Sequence, residues 1–298
     1  MHPVPTLVGD DGVQMKKTQA SLTAQGIAIA RVLESSKPAW ERICYDPLAR
    51  QLISPFFYLL GKLFADYGER KEPGVIGFLV ARCRYIDDYL QECIDAGIQQ
   101  LVILGAGLDS RAYRFEQLKN LVKVFEIDHP ATQLVKQKKL RKIFGNLPEY
   151  VTYVSVDFNE ETLQKLFDFG YSRQLKTLFI WEGVVYYLTA EAVDRTLEFV
   201  VKNSGSGSSI IFDYLYLSAL NAVHKRREIL RMQRVMQYTG EGLTFGIEEG
   251  RVEEFLRKRG FTQIQNVTSE DLRKAYFTGM NQARAIAPIY AIVHAAVK

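Results

Sequence analysis

The sequence has little cysteine. Of 298 residues only Cys44, Cys83 and Cys93 are thiols. They show no CxxC spacing and no histidine cluster beside them, so neither a zinc centre nor a disulfide framework is expected, and no metal site is assigned. Long hydrophobic runs are also lacking. The most apolar early stretch, Leu52–Phe64, is interrupted by Pro55 and Lys62 and is too short to span a bilayer. No basic region followed by an apolar run opens the chain, so no signal peptide is read and a reducing cytoplasm is the expected location. A dense basic block is missing as well. The formal charge is only +4, and the richest patch, KQKKLRK at Lys136–Lys142, falls in a helix-like stretch and reads as a solvated face. Nucleic acid and membrane are therefore not expected partners.

What is present is ordinary for a globular protein, with 47% hydrophobic and 24% charged residues. Residues 1–17, polar and rich in Pro and Gly, are expected to be mobile. Apolar residues recur at helical spacing from Ser21 to Glu34, and Pro38 marks a stop. Ala65–Gly77 (ADYGERKEPGVIG) reads as a loop or short helix that could form a cover. Phe78–Ala96 reads as a helix ended by Gly97. Beyond Gly97, β-branched runs alternate with helical patterns. The candidate strands are Leu101–Leu104, Val122–Ile127, Val151–Val156, Leu178–Ile180 and Ser209–Phe212. Helix-like segments Ala131–Phe144, Glu160–Phe169 and Ala190–Asn203 lie between them. This rhythm predicts an α/β fold, a mostly parallel doubly wound sheet. A helical insertion follows strand five (Leu217–Tyr238, extending to about 247). A helix near Glu249–Arg259, a strand at Thr262–Val267, a helix at Asp271–Phe277 and a strand at Ile289–Ala295 complete the reading. The division expected is a helical cap over 18–97 and a core over 98–298.

In a doubly wound sheet, ligands sit beyond the carboxyl ends of the strands. Gly105-Ala106-Gly107 follows the first strand, where glycines allow close backbone approach and leave amides free. Glu126 and Asp128 end the second strand, about twenty residues on, where an acid can accept from ribose hydroxyls. Asp157 ends the third; it can accept from an adenine amino group while Phe158 lies against the ring. Helix capping is the rival role for Asp157. Glu182 ends the fourth strand, and a buried Glu without a partner is costly. A nicotinamide dinucleotide fingerprint calls for GxGxxG, but Ser110 stands at the third glycine and Asp109 lies in the loop. A carboxylate is unfavourable beside a diphosphate and tolerable beside the sulfonium and ammonium of S-adenosylmethionine. A nicotinamide-dependent oxidoreductase and a non-catalytic cofactor-binding protein remain the alternatives.

LGAGLDSRAYRF, VFEIDHP, VSVDF and WEGVVYYL together resemble the leucine carboxyl methyltransferase family. ARVLESSKPAWERICYDPLARQLI resembles its N-terminal helices, including the DPLA turn at Asp46–Ala49, and ARCRYIDDYL resembles the helix before its first strand. The resemblance runs from about Ser21 to Leu215. It implies a Rossmann-like class I methyltransferase that uses S-adenosylmethionine to methylate oxygen, with a small-molecule or peptide carboxylate as acceptor. By motif it implies Arg82 at the methionine carboxylate, Gly105 against the amino-acid part, Asp128 on the ribose, Asp157 and Phe158 on the adenine, and Glu182 near the methionine amino group. Arg31 is a second candidate cation. No catalytic base is assigned: His129 and His224 are candidates that also suit plain structural roles. Tyr186 and Tyr187 suit either a substrate pocket or a core.

Overall fold

The computed structural model describes residues 22–225 and 242–298. The expectations for residues 1–17, for the His224 side chain and for most of the insertion lie outside the described residues. Three helices come first: α1 (Leu22–Ser35), α2 (Pro55–Lys71) and α3 (Val75–Asp95). Asp46 starts the single turn Ala49–Leu52 between α1 and α2, its Oδ1 accepting from the amides of Leu48 and Ala49 at 3.1 and 3.0 Å. Ser54 starts α2 by accepting from the Phe57 amide at 3.2 Å, and Pro55 occupies the first turn, where a missing N–H costs nothing. Of the loop or short helix expected at Ala65–Gly77, Ala65–Lys71 are helical and continue α2. A glycine inside a helix costs about 1 kcal/mol relative to alanine and does not by itself end it, so Gly68 is passed. The break falls at Glu72–Gly74. Gly74 has φ 85°, and a Cβ there would meet the Ile286 carbonyl carbon at 2.4 Å, so this turn needs glycine on both counts.

The strands are β1 (Gln100–Leu104), β2 (Lys123–Asp128), β3 (Val151–Ser155), β4 (Thr177–Trp181), β5 (Ser209–Leu215), β6 (Phe261–Thr268) and β7 (Tyr290–Val297). Between and after them lie α4 (Pro130–Phe144), α5 (Ala190–Lys202), α6 (Leu217–Lys225), α7 (Val252–Arg257) and α8 (Ser269–Tyr276). The stretch Leu163–Phe169 is a 3₁₀ helix, where an α-helix from Glu160 was expected. Among the described residues the sheet runs β3-β2-β1-β4-β5-β7-β6. β1 to β5 run parallel to one another, and β7 is antiparallel to both β5 and β6. The chain leaves β1 outward to β2 and β3, then returns to the other side of β1 with β4. The switch in strand order thus lies between β1 and β4, which is where such sheets open a crevice.

β1 and β4 are buried throughout, as parallel strands covered on both faces must be. Their side chains alternate between two cores. Val102, Leu104, Phe179 and Trp181 join Leu197 and Val200 of α5 on one face. Leu101, Ile103, Leu178 and Ile180 join Phe78, Ile86 and Leu90 of α3 on the other. α1 adds Ala28 and Val32 to the second core, which holds it against the carboxyl ends of the strands. No helix among the described residues is long and apolar enough to cross a membrane.

Candidate functional site

A cleft of about 420 Å³ opens over the carboxyl ends of β1 to β4, a size suited to a small ligand. Its floor is the loop after β1. Gly105 has φ 66°, and a Cβ there would lie 2.3 Å from Cγ2 of Val184; both the dihedral and the close approach of the loop after β4 require glycine. Gly107 has φ 41°. The loop is pinned from below, with the Ala106 amide donating to the Ile127 carbonyl at 2.9 Å. It is pinned from the side by Asp128, which accepts from the Gly107 and His129 amides at 2.5 and 2.7 Å. Burial raises the Asp128 pKa against the pull of these two amides. Arg31 of α1 reaches across, donating to the Leu108 carbonyl at 2.6 Å and to Asp46 at 2.9 Å.

Asp157 lies just beyond β3 and half exposed; its Oδ1 accepts from the Asn159 amide at 3.0 Å, closing a local turn. Phe158 lies tilted toward Trp181, ring centroids 6.4 Å apart. Glu182, just beyond β4, is held by two guanidiniums. Arg82 Nε donates to its Oε1 at 3.0 Å, and Arg111 Nη1 donates to its Oε2 at 2.5 Å. Arg111 also reaches Asp109 and Asp87, at 2.5 and 2.7 Å. Arg82 continues to Asp213 of β5 and to the Tyr186 hydroxyl, and Asp213 accepts from the Gly183 amide at 2.6 Å. Burial acts to raise the Glu182 pKa, and Arg111, Arg82 and Arg31 outweigh it, leaving the carboxyl well below the usual range. One ladder of alternating charges therefore ties α3, the glycine loop and the ends of β4 and β5 together.

Of the residues expected at the site, Gly105, Ala106, Gly107, Asp109, Asp128, Asp157, Phe158 and Glu182 line the cleft, as do Arg31, His129 and Tyr187. Two do not. Arg82 is 0% exposed and lies under Gly183; a Cβ at Gly183 would stand 3.6 Å from both its terminal nitrogens. Glu126 is 1% exposed. It lies two residues below the strand end, about 6.6 Å at strand rise, and pairs with Lys136 Nζ at 2.7 Å rather than facing the cleft. Lys136 itself is 1% exposed, so the start of the expected solvated patch is buried. Tyr186 is buried with its hydroxyl on Arg82, whereas Tyr187 reaches the cleft wall. His129 caps α4 through Nδ1, which accepts from the Ala131 amide at 3.3 Å. Sequence reasoning missed Arg111, Asp213 and Lys136. A signal existed for Asp213: one acid inside the apolar run IIFDYL must be paired when buried.

The residues present suit a cationic, amino-acid-bearing nucleoside. Four carboxylates and one arginine line the wall. Glycine at 105 and 183 leaves space that a Cβ would fill. Arg82 Nη2 is buried without a hydrogen bond, although Glu182 Oε1 lies 3.0 Å away as an ion-pair partner. No group of His, Cys, Asp and Glu among the described residues could hold a metal ion.

Known proteins share this fold and parts of this sequence. A crystal structure described as a "putative methyltransferase" from Thermobifida fusca YX superposes with TM-score 0.59 at 13% identity, covering 98% of this chain and 100% of that one. A duf574 family protein from Streptomyces avermitilis MA-4680 does so with TM-score 0.59 at 13% identity, over 95% and 100%. These two likenesses concern the fold alone. In sequence the chain is 29% identical over 220 residues to the Bacillus subtilis (strain 168) protein named "Putative S-adenosyl-L-methionine-dependent methyltransferase YktD", covering 74% of this chain and 72% of that one. A Mycolicibacterium paratuberculosis protein bearing the same description is 31% identical over 224 residues, 72% of each chain. The molecule is a Rossmann-like methyltransferase dependent on S-adenosylmethionine. Within that class it belongs to the leucine carboxyl methyltransferase family, whose profile matches residues 24–201.

Proposed function

We propose that the protein transfers a methyl group to a carboxylate oxygen of a small molecule or a peptide C-terminus. The observation that carries this is the cleft wall. It holds carboxylates for the donor, and its imidazole, His129, has Nδ1 committed to a helix cap. A carboxylate acceptor is already ionised at neutral pH and needs no general base, whereas an alcohol or phenol does. The family description points the same way. S-adenosylmethionine supplies an activated sulfonium methyl, so the task of the protein is alignment and exclusion of water. Gly105 and Gly107 admit the amino-acid part, Asp128 accepts from ribose, and Asp157 and Phe158 hold adenine. Glu182 faces the ammonium, and Arg31, the arginine that lines the cleft, faces the carboxylate, while Arg82 holds Glu182 from below. α1 covers the cleft with Ala24, Ile27 and Arg31. Asp109 stays compensated by Arg111 and stands where a diphosphate would have to lie, which disfavours a nicotinamide dinucleotide.

Two outcomes are expected. Incubation with methyl-labelled S-adenosylmethionine and a carboxylic-acid extract yields label released as methanol by mild alkali, because esters hydrolyse there and ethers do not. Alkali-stable label would move the acceptor to a hydroxyl, and no transfer to any extract would favour a binding protein. The variant Asp128→Ala binds S-adenosylhomocysteine about 1.5–3 kcal/mol more weakly by calorimetry, the range for hydrogen bonds to a charged group. Unchanged affinity would leave Asp128 only its bonds to Gly107 and His129.

A further inference from the structure

Behind the glycine loop, on the side away from the cleft, two opposite charges are sealed in the core. Glu126 of β2 and Lys136 of α4 are each 1% exposed. Lys136 Nζ donates to Glu126 Oε1 at 2.7 Å and to the Ala106 carbonyl at 3.3 Å. A buried ion pair seldom outweighs its desolvation against an apolar replacement, so stability is a weak reason for this one. The second contact supplies a better reason. Ala106 is the middle residue of Gly-Ala-Gly, and its amide is already tied to Ile127. The Ala106 carbonyl also accepts from the Asp109 amide at 2.8 Å; Lys136 adds a charged donor to the same oxygen, so both peptide groups of Ala106 are held and the orientation of the flanking glycines toward the cleft follows. Glu126 Oε2 is buried without a hydrogen bond, so the carboxylate is incompletely satisfied and its charge state is sensitive to its surroundings.

We propose that Lys136 and Glu126 are positioning residues for the cofactor: Lys136 sets the Gly105–Gly107 loop through the Ala106 carbonyl, and the charge on Glu126 sets how firmly Lys136 is placed. This rests on the cofactor lying against that loop, as read above. The groups facing Glu126 are Lys136 from α4, Tyr113 from the turn after the loop, Tyr150 and Tyr153 at β3, and Asp109 from the loop itself. Burial pushes the Glu126 carboxyl up to about 6, and Lys136 and Tyr113 only partly oppose this. At pH 8 the pair is ionic. Below pH 6 Glu126 takes a proton, and the lysine loses the anion that fixes it under the loop.

The test uses the whole protein with S-adenosylhomocysteine as probe, in calorimetric titrations from pH 5 to pH 8. The wild type is expected to bind more weakly at the acid end, with a midpoint near the Glu126 value of about 6. Lys136→Met with Glu126→Gln removes both charges and leaves none unpaired, which keeps the fold testable. This double variant is expected to lose about tenfold in affinity at pH 8, the scale of one charge-assisted hydrogen bond, and to show no midpoint near 6. Lys136→Arg restores part of the affinity in the Glu126 background. A double variant with wild-type affinity and wild-type pH profile overturns the inference while the loop assignment stands, provided Asp128→Ala still weakens binding. If neither change affects binding, the placement of the cofactor fails instead.

Discussion

Replacing Asp213 by alanine destabilises the protein by about 3–5 kcal/mol, the range for removing one member of a buried pair. Asp213 is 0% exposed and serves two masters: Oδ2 accepts from Arg82 and Oδ1 from the Gly183 amide. Without it, the Arg82 guanidinium keeps only Glu182 and the Tyr186 hydroxyl, and the Gly183 N–H is left in the core with no acceptor. A buried cation left with only a carboxylate it shares with Arg111 accounts for most of the loss. Chemical denaturation of the wild type and variant measures it directly. A difference below about 1 kcal/mol, the ordinary size for a point substitution, would show that Glu182 alone carries Arg82. The companion change Asp213→Asn keeps an acceptor for Gly183 and separates the amide from the charge.

Glu182→Gln is expected to be nearly as costly, about 3 kcal/mol or more in stability, and to reduce affinity for S-adenosylhomocysteine as well. One carboxylate bridges Arg82 and Arg111; a neutral amide of the same shape leaves two buried cations facing each other. The pH dependence follows from the depressed folded pKa. The stabilisation due to Glu182 is complete above the unfolded value of about 4.3. It is lost only as pH falls through the lower folded value. The stability gap between wild type and Glu182→Gln therefore stays level from pH 8 to pH 5 and narrows in stronger acid. A gap that closes between pH 7 and pH 5 would mean that the arginines do not hold this carboxylate ionised.

Much of this was readable from the chain. Each expected strand is found, with ends shifted by at most three residues; for the central parallel strands this is because strands covered on both faces are near-continuous apolar runs. The strand-end acids could be placed for the same reason: once a run ends, the next polar residue stands at the edge. What depends on depth or on distant partners was not readable. Glu126 and Asp128 lie on one face of β2 two residues apart, and only the covering helix decides that one meets Lys136 and the other the cleft. Lys136 looked solvated because its neighbours in KQKKLRK are charged, although Leu140, one turn on, shares its buried face. Arg82 and Asp213 are 131 positions apart, and no local pattern announces their pairing. Ala65–Gly77 left loop and short helix both open because Gly68 and its charged neighbours imitate a loop, and only the run of α2 through Lys71 decides between them.

The placement of β7 has a consequence for biogenesis. β7 follows β6 in the chain yet lies between β5 and β6. During synthesis β5 emerges complete at Leu215, but its neighbour begins only at Tyr290. At about 5–20 residues per second, that edge stays open for roughly 4–15 s. β5 is apolar except for Ser209, Asp213 and Tyr214, the kind of edge that recruits stray strands. Until it pairs with Arg82, Asp213 puts a charge on this open edge, the inward-pointing kind that discourages pairing with another strand.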